Sequence, residues 1–144
     1  MSNGFDLDFQ LRLASKEDEA TAVHLVGADE KPLYYAPDGS DDSQPVLWYI
    51  TGAHGQRYRN IDKQLRTRKL KASSLTGAAL MEDNITRIVA CSTGWQGIVS
   101  NNTPVDFRPD NARMILESAP WLVDLLFGAM HEHDRFFASS SSKL

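Results

Sequence analysis

The sequence predicts an α+β protein, with a small N-terminal antiparallel sheet followed by a C-terminal bundle of about four helices. Two runs rich in β-branched and aromatic residues, Thr21 to Val26 and Val46 to Thr51, supply the strands. From residue 53 onward apolar residues recur at helical spacing, and Gly and Pro punctuate the segments. A chain of 144 residues can bury one modest core but not two full domains. Apolar content of 42%, with three Trp, six Phe and four Tyr, belongs to a folded chain rather than a disordered one. The expected organisation is an acidic arm with a β-subdomain over 1–52, a helical domain over 53–138 and a flexible Ser-rich tail over 139–144.

Along the first nineteen residues Phe5, Leu7, Phe9, Leu11 and Leu13 alternate with other residues, the period of a strand or an extended docking arm. Between the two strand runs, Pro32, Pro37, Asp38-Gly39 and the acidic insert around Ser40 to Ser43 supply turn chemistry. After Gly52, Tyr58, Ile61 and Leu65 fall at i, i+3 and i+7, which predicts a first helix from Ala53 to Lys71. Ser74 or Thr76 then offers an N-cap, and Met81, Ile85, Ile88, Val89 and Ser92 trace one face of a second helix that Gly94 would stop. The stretch from Trp95 to Phe107 holds two short apolar pieces around Asn101-Asn102, suited to a loop or a minimal hairpin. Pro109 and Asp110 open another helix. Pro120 starts a last one, whose stripe continues from Leu122 through His133 to Phe137. The segment after Phe137 has nothing to bury and should fray.

Charge is unevenly distributed. Residues 57–71 hold seven cations and one acid, whereas the first 56 residues hold ten acids and three bases, within a net charge of −4. Such asymmetry marks an interaction surface or internal pairing. A nucleic acid would be drawn to the basic helix, but the chain's overall acidity opposes it, and the cations spread round much of the helix with only Tyr58 interleaved. No apolar stretch approaches the roughly 18 residues that cross a bilayer, and the acidic start lacks the pattern of a signal peptide. A soluble, unexported protein with no membrane partner is expected. Cys91, the one cysteine, excludes an intrachain disulfide and suits a small buried filler in a reducing cytoplasm.

No pattern of catalytic chemistry emerges. GxSxG elbows, Gly-rich phosphate cradles and zinc-deaminase spacings are all missing from the sequence. His131-Glu132-His133-Asp134 resembles a metal cluster only superficially, because residues two apart on one helix point about 200° away from each other. No histidine pair has the i, i+4 spacing of a helical zinc site. Neither enzyme, metal nor cofactor is expected.

One block is more specific. Gly94-Trp95-Gln96-Gly97 follows a helix with an alanine-containing end. Pro104, Val105 and Phe107 come next, then Asn111-Ala112, then Pro120-Trp121, with Arg135-Phe136 near the close. Over Ile88 to Phe137 the chain resembles the tail assembly chaperones of long-tailed phages. More loosely the likeness extends upstream, through the basic helix with Tyr58 and Arg59 after a strand and the Gly52 turn. The acidic insert departs from it. Physically, Gly94 can end a helix, Gly97 can let the backbone turn beneath the indole, and Phe107 can pack on Trp95. Together with Pro120 these form a structural motif.

The resemblance implies a non-catalytic protein of the host cytoplasm, absent from the mature virion. It would bind the tape measure protein, keep it soluble and help bring tail tube subunits to it, and self-association stays open. A ribosomal frameshift extending the C-terminus is a further family trait. For the partner surface the sequence offers Arg59, Lys63 and Arg66 with Trp121 and Phe136, large aromatics being common interface anchors. The alternatives are a nucleic-acid-binding protein using residues 57–71 and a structural tail or head-tail joining component.

Overall fold

The computed structural model describes residues 4–37, 42–69 and 76–141. The turn expected at Asp38-Gly39, Ser40 and Asp41 of the acidic insert, the Ser74 cap and the last three residues lie outside them. An α+β fold is present as expected, with a small antiparallel sheet against several helices.

The first departure is α1, Leu7–Ser15, which is a helix where alternation suggested a strand. Its alternating apolar residues are also two i, i+4 pairs, Leu7 with Leu11 and Phe9 with Leu13, so the pattern suits either geometry. Asp6 decides locally by accepting a hydrogen bond from the Phe9 N–H at 3.2 Å, an N-cap. Residues Lys16–Asp18 continue as one 3-10 turn.

The sheet consists of β1 (Thr21–His24), β4 (Leu47–Ile50) and β5 (Ser92–Gln96), with β4 in the centre. Strands β2 (Tyr34–Tyr35) and β3 (Gln44–Pro45) extend the β1/β4 connection as a short ribbon. Trp48 faces Val23 across one ladder and Trp95 across the other. Alternation along β4 sends Trp48 and Ile50 into the core and leaves Leu47 and Tyr49 half-buried.

Helix α2 (Gln56–Lys69) is followed by α3 (Gly77–Cys91), which Thr76 caps through a hydrogen bond from the Ala79 N–H at 3.0 Å. The chain turns directly from Cys91 into β5. Gly94 therefore does not stop the helix; it lies within β5 opposite Tyr49. Ser92 makes the switch, adopting extended backbone while its hydroxyl donates to the Ile88 carbonyl at 2.6 Å and accepts from Trp48 Nε1 at 2.8 Å. Strands β6 (Val99–Ser100) and β7 (Thr103–Pro104) then form the minimal hairpin. Asn101 and Asn102, at φ 51° and 64°, supply its left-handed turn.

Helices α4 (Pro109–Ser118) and α5 (Pro120–Met130) each begin with proline in the first turn, where its missing N–H costs nothing. The expected long last helix is instead broken, with α6 running over His133–Ser141. The Met130 carbonyl accepts from the Ala53 N–H at 2.9 Å, so a tertiary bond takes the acceptor that would carry the helix forward. The backbone of α6 also reaches into the Ser-rich end expected to fray.

One core joins Val23, Trp48 and Ile50 of the sheet to Ile88 of α3, Leu116 of α4 and Leu126 of α5. The boundary expected at residue 52 therefore falls inside a continuous core. Helix α2 attaches through buried Leu65 and through Asp62, whose carboxylate accepts from Arg87 Nε at 3.1 Å.

Cys91 is fully buried, as its apolar neighbours suggested. Burial pushes its thiol up to about 11, against smaller opposing effects from the Thr51 hydrogen bond and Arg57. Starting from an ordinary value of 9.0, the native thiolate fraction at pH 8 should be about a hundredfold reduced. Ellman's reagent should accordingly label the native chain slowly and the urea-unfolded chain at once; equal rates would contradict this burial. Because the folded value is raised, its stabilising contribution is complete below the unfolded value. It should decline between about pH 9 and 11, by about 1.4 kcal/mol per pH unit. A Cys91→Ala chain should lack that component of the slope.

Candidate functional site

Two features of the surface can do chemistry or bind a partner, and they meet. The first is an apolar cleft of about 640 Å³ beside α1, lined by Phe5, Leu7, Leu11, Leu13 and Phe137, with Arg59 and two histidines at its edge. Helix α1 buries none of its residues fully, and Phe5 and Leu11 are 78% and 57% exposed. Large apolar side chains grouped this way on a small protein mark a binding surface.

The second feature anchors that cleft. Glu17 sits in the 3-10 turn after α1 and is fully buried. Its carboxylate lies 2.9 and 3.0 Å from His133 Nδ1 and 3.2 Å from His54 Nδ1, and it also accepts from the His54 backbone N–H at 3.1 Å. The two imidazoles stack face to face, 3.9 Å between centroids and 9° from parallel. Backbone bonds fix the same junction, since the Gly52 N–H donates to the Glu17 carbonyl at 2.8 Å. Asp18 Oδ1 accepts from the Gln56 N–H at 2.5 Å and so caps the first turn of α2.

The break between α5 and α6 creates this geometry. His131 stays on α5's C-terminal cap beside Phe127, while His133 opens α6 and turns to Glu17. Residues 131–134 do not form the one helix expected, since α5 ends before His131 and α6 begins at His133. Sequence could not show that His133 meets His54 at Glu17, which lies 116 residues from the first and 37 from the second. Nothing local marks Glu17 within the Glu17-Asp18-Glu19 run.

The residues proposed for a partner surface separate into two groups. Arg59, Lys63 and Arg66 are exposed and fall at i, i+4 and i+7 on α2, so they share one stripe that starts at the cleft edge. Exposed Arg57 and Arg68 lie on the other side of α2, so the cations as a whole spread round the helix as expected, and the stripe is a subset of three. Arg66 is partly engaged, 2.9 Å from Asp62. Trp121 is 38% exposed and donates from Nε1 to the Val26 carbonyl at 2.9 Å. Phe136 is 2% exposed; it packs inside and is removed from the surface candidates.

The motif residues act as architecture. Trp95 lies between Trp48 and Phe107, at centroid distances of 4.8 and 4.9 Å, and donates from Nε1 to the Val105 carbonyl at 2.8 Å. Gly97, at φ 84°, cradles the Tyr35 ring instead of turning beneath the indole; a Cβ there would overlap that ring. Pro120 starts α5. Compared with family models, curated proteins and solved structures, the chain matches none.

Proposed function

We propose that the chain is a non-catalytic tail assembly chaperone of a long-tailed phage. In the host cytoplasm it binds the tape measure protein, keeps it soluble and helps recruit tail tube subunits. The observation that carries this reading is the apolar cleft beside α1, continued by the cationic stripe of Arg59, Lys63 and Arg66. Such a surface suits an amphipathic helix with one apolar face and an acidic flank. Tape measure helices expose apolar faces before a tube encloses them, and covering those faces would prevent their aggregation. The resemblance over Ile88 to Phe137 supplies the biological setting.

Co-expression with the tape measure protein of the same genome tests the reading directly. Soluble yield should rise and the two chains should co-purify; an unchanged insoluble fraction with no co-purification would sink it. Stoichiometric presence in purified virions would instead indicate a structural component.

Charge reversal then tests the stripe. Arg59→Glu with Lys63→Glu avoids the Arg66–Asp62 pair and should weaken partner binding on the order of tenfold at low salt, with a smaller effect at high salt. Unchanged binding at both salt concentrations would remove the stripe from the interface. The exposed stripe also favours a nucleic acid as the competing occupant, and a salt-dependent DNA mobility shift abolished by the same double variant would support that reading.

A further inference from the structure

We propose that Glu17, His54 and His133 form a binding site for one divalent transition-metal ion, with zinc the best chemical fit. The inference stands apart from the chaperone reading, because it rests on three side chains whose arrangement needs no partner. One ligand atom from each can be chosen so that all lie within 4.8 Å of one another. Four-coordinate zinc with bonds of about 2.0–2.1 Å has ligand-to-ligand edges of about 3.3 Å. The separations of 2.9 and 3.2 Å between Glu17 Oε2 and the two Nδ1 atoms are close to such edges. The two rings stack 3.9 Å apart and 9° from parallel, so binding one ion through both requires them to tilt out of that stack until their lone pairs converge beside the Glu17 carboxylate.

Donor type points the same way. Two imidazole nitrogens and one carboxylate suit zinc and its neighbours in the transition series, and poorly suit calcium or magnesium, which take oxygen shells. The ligands come from the turn after α1, the loop before α2 and the start of α6, so an ion would tie three separate segments together. Both histidines line the cleft beside α1 and are partly exposed, so an ion could reach them from solvent. Backbone packing preforms the arrangement: Gly55 lies so close to Glu17 that a Cβ would stand 2.6 Å from the Glu17 carbonyl oxygen.

The same contacts could serve as a metal-free hydrogen-bonded brace, with both Nδ1 atoms protonated toward the carboxylate. Binding measurements separate the two. The full chain, carrying no histidine tag, is stripped with chelator and titrated with zinc against a chromophoric competitor. Cobalt titration then reads the coordination geometry.

One equivalent of zinc per chain is expected, together with a raised Tm and cobalt d–d absorption of tetrahedral intensity. His54→Ala, whose side chain is 55% exposed and can be lost without opening the core, should weaken zinc by at least about tenfold at unchanged circular dichroism. His133→Ala should do the same. Failure of the native chain to take up one equivalent, or equal zinc affinity in the native chain and His54→Ala, would overturn the site and leave the brace.

Discussion

Trp48→Ala is expected to destabilise the chain by about 3–5 kcal/mol, the range for removing a buried large aromatic. Trp48 lies in the central strand, is wholly buried and packs at a tilt against Trp95, 4.8 Å between ring centroids. Alanine would leave a cavity between the sheet and α3, deprive Trp95 of one aromatic neighbour and remove the donor to Ser92 Oγ. A conservative Trp48→Phe keeps most of the apolar volume and isolates the polar part, with an expected cost nearer 1–2 kcal/mol. Urea unfolding followed by far-ultraviolet circular dichroism measures both without relying on tryptophan fluorescence. A loss below about 1.5 kcal/mol for Trp48→Ala would mean that the sheet and the helices do not share one core.

The contrast between Trp48 and the Gly94-Trp95 block explains how much of the fold was legible. Strands β1 and β4 and helices α2 to α5 carry periodic apolar residues and terminal Pro or Thr signals, so local rules place them. β5 does not, because Ser92-Thr93-Gly94-Trp95-Gln96 has a single large apolar residue and becomes a strand only by pairing with β4. Position 94 looked like a helix stop for the same reason. Gly has that use often, but here Ser92 had already ended α3 by capturing the Ile88 carbonyl. At α1 the misreading has another cause, since two i, i+4 pairs cannot be told from alternation without knowing whether a partner strand exists.

The candidate sites divide similarly. Arg59, Lys63 and Arg66 lie one helical turn apart, so the stripe was within reach of sequence once α2 had boundaries. The apolar residues of the cleft were visible too, although not as one surface. Glu17, His54 and His133 form a group where the chain breaks between α5 and α6, at the point where the Met130 carbonyl accepts from the Ala53 N–H. That bond joins residues 53 and 130, and no local pattern reports it. The aromatic sequence Trp48, Trp95 and Phe107 connects the resemblance to the fold, since it holds the hairpin and the start of α4 on the sheet. The Trp95 and Phe107 part of the resembling block thus packs against the core, whereas the surface proposed to bind is built mainly from α1 and α2, with Phe137 from the end of that block.

Gly52→Ala should have an effect opposite in sign to Gly128→Ala, although both add one methyl group. Gly128 sits on the exposed side of α5 with nothing near its would-be Cβ, so alanine there should stabilise by about 0.5–1 kcal/mol through helix propensity. At Gly52 a Cβ would overlap the Glu17 carboxylate and lie 2.7 Å from Glu17 Cβ. Neither atom can yield alone, because the Glu17 carbonyl is bonded to Gly52 and its carboxylate to His54 and His133. Strain of about 1–3 kcal/mol adds to the loss of hydrogen bonds to a buried carboxylate, so a total near 3 kcal/mol is expected. Displacing Glu17 also releases the turn after α1, and limited proteolysis should cut near residues 15–20 faster in Gly52→Ala than in the native chain. The partner affinity of the cleft should fall with it, because α1 forms one wall. If Gly52→Ala proves as stable as the native chain and equally resistant to protease, Glu17 is not the anchor of the N-terminal segment, and the cleft must be held by other contacts.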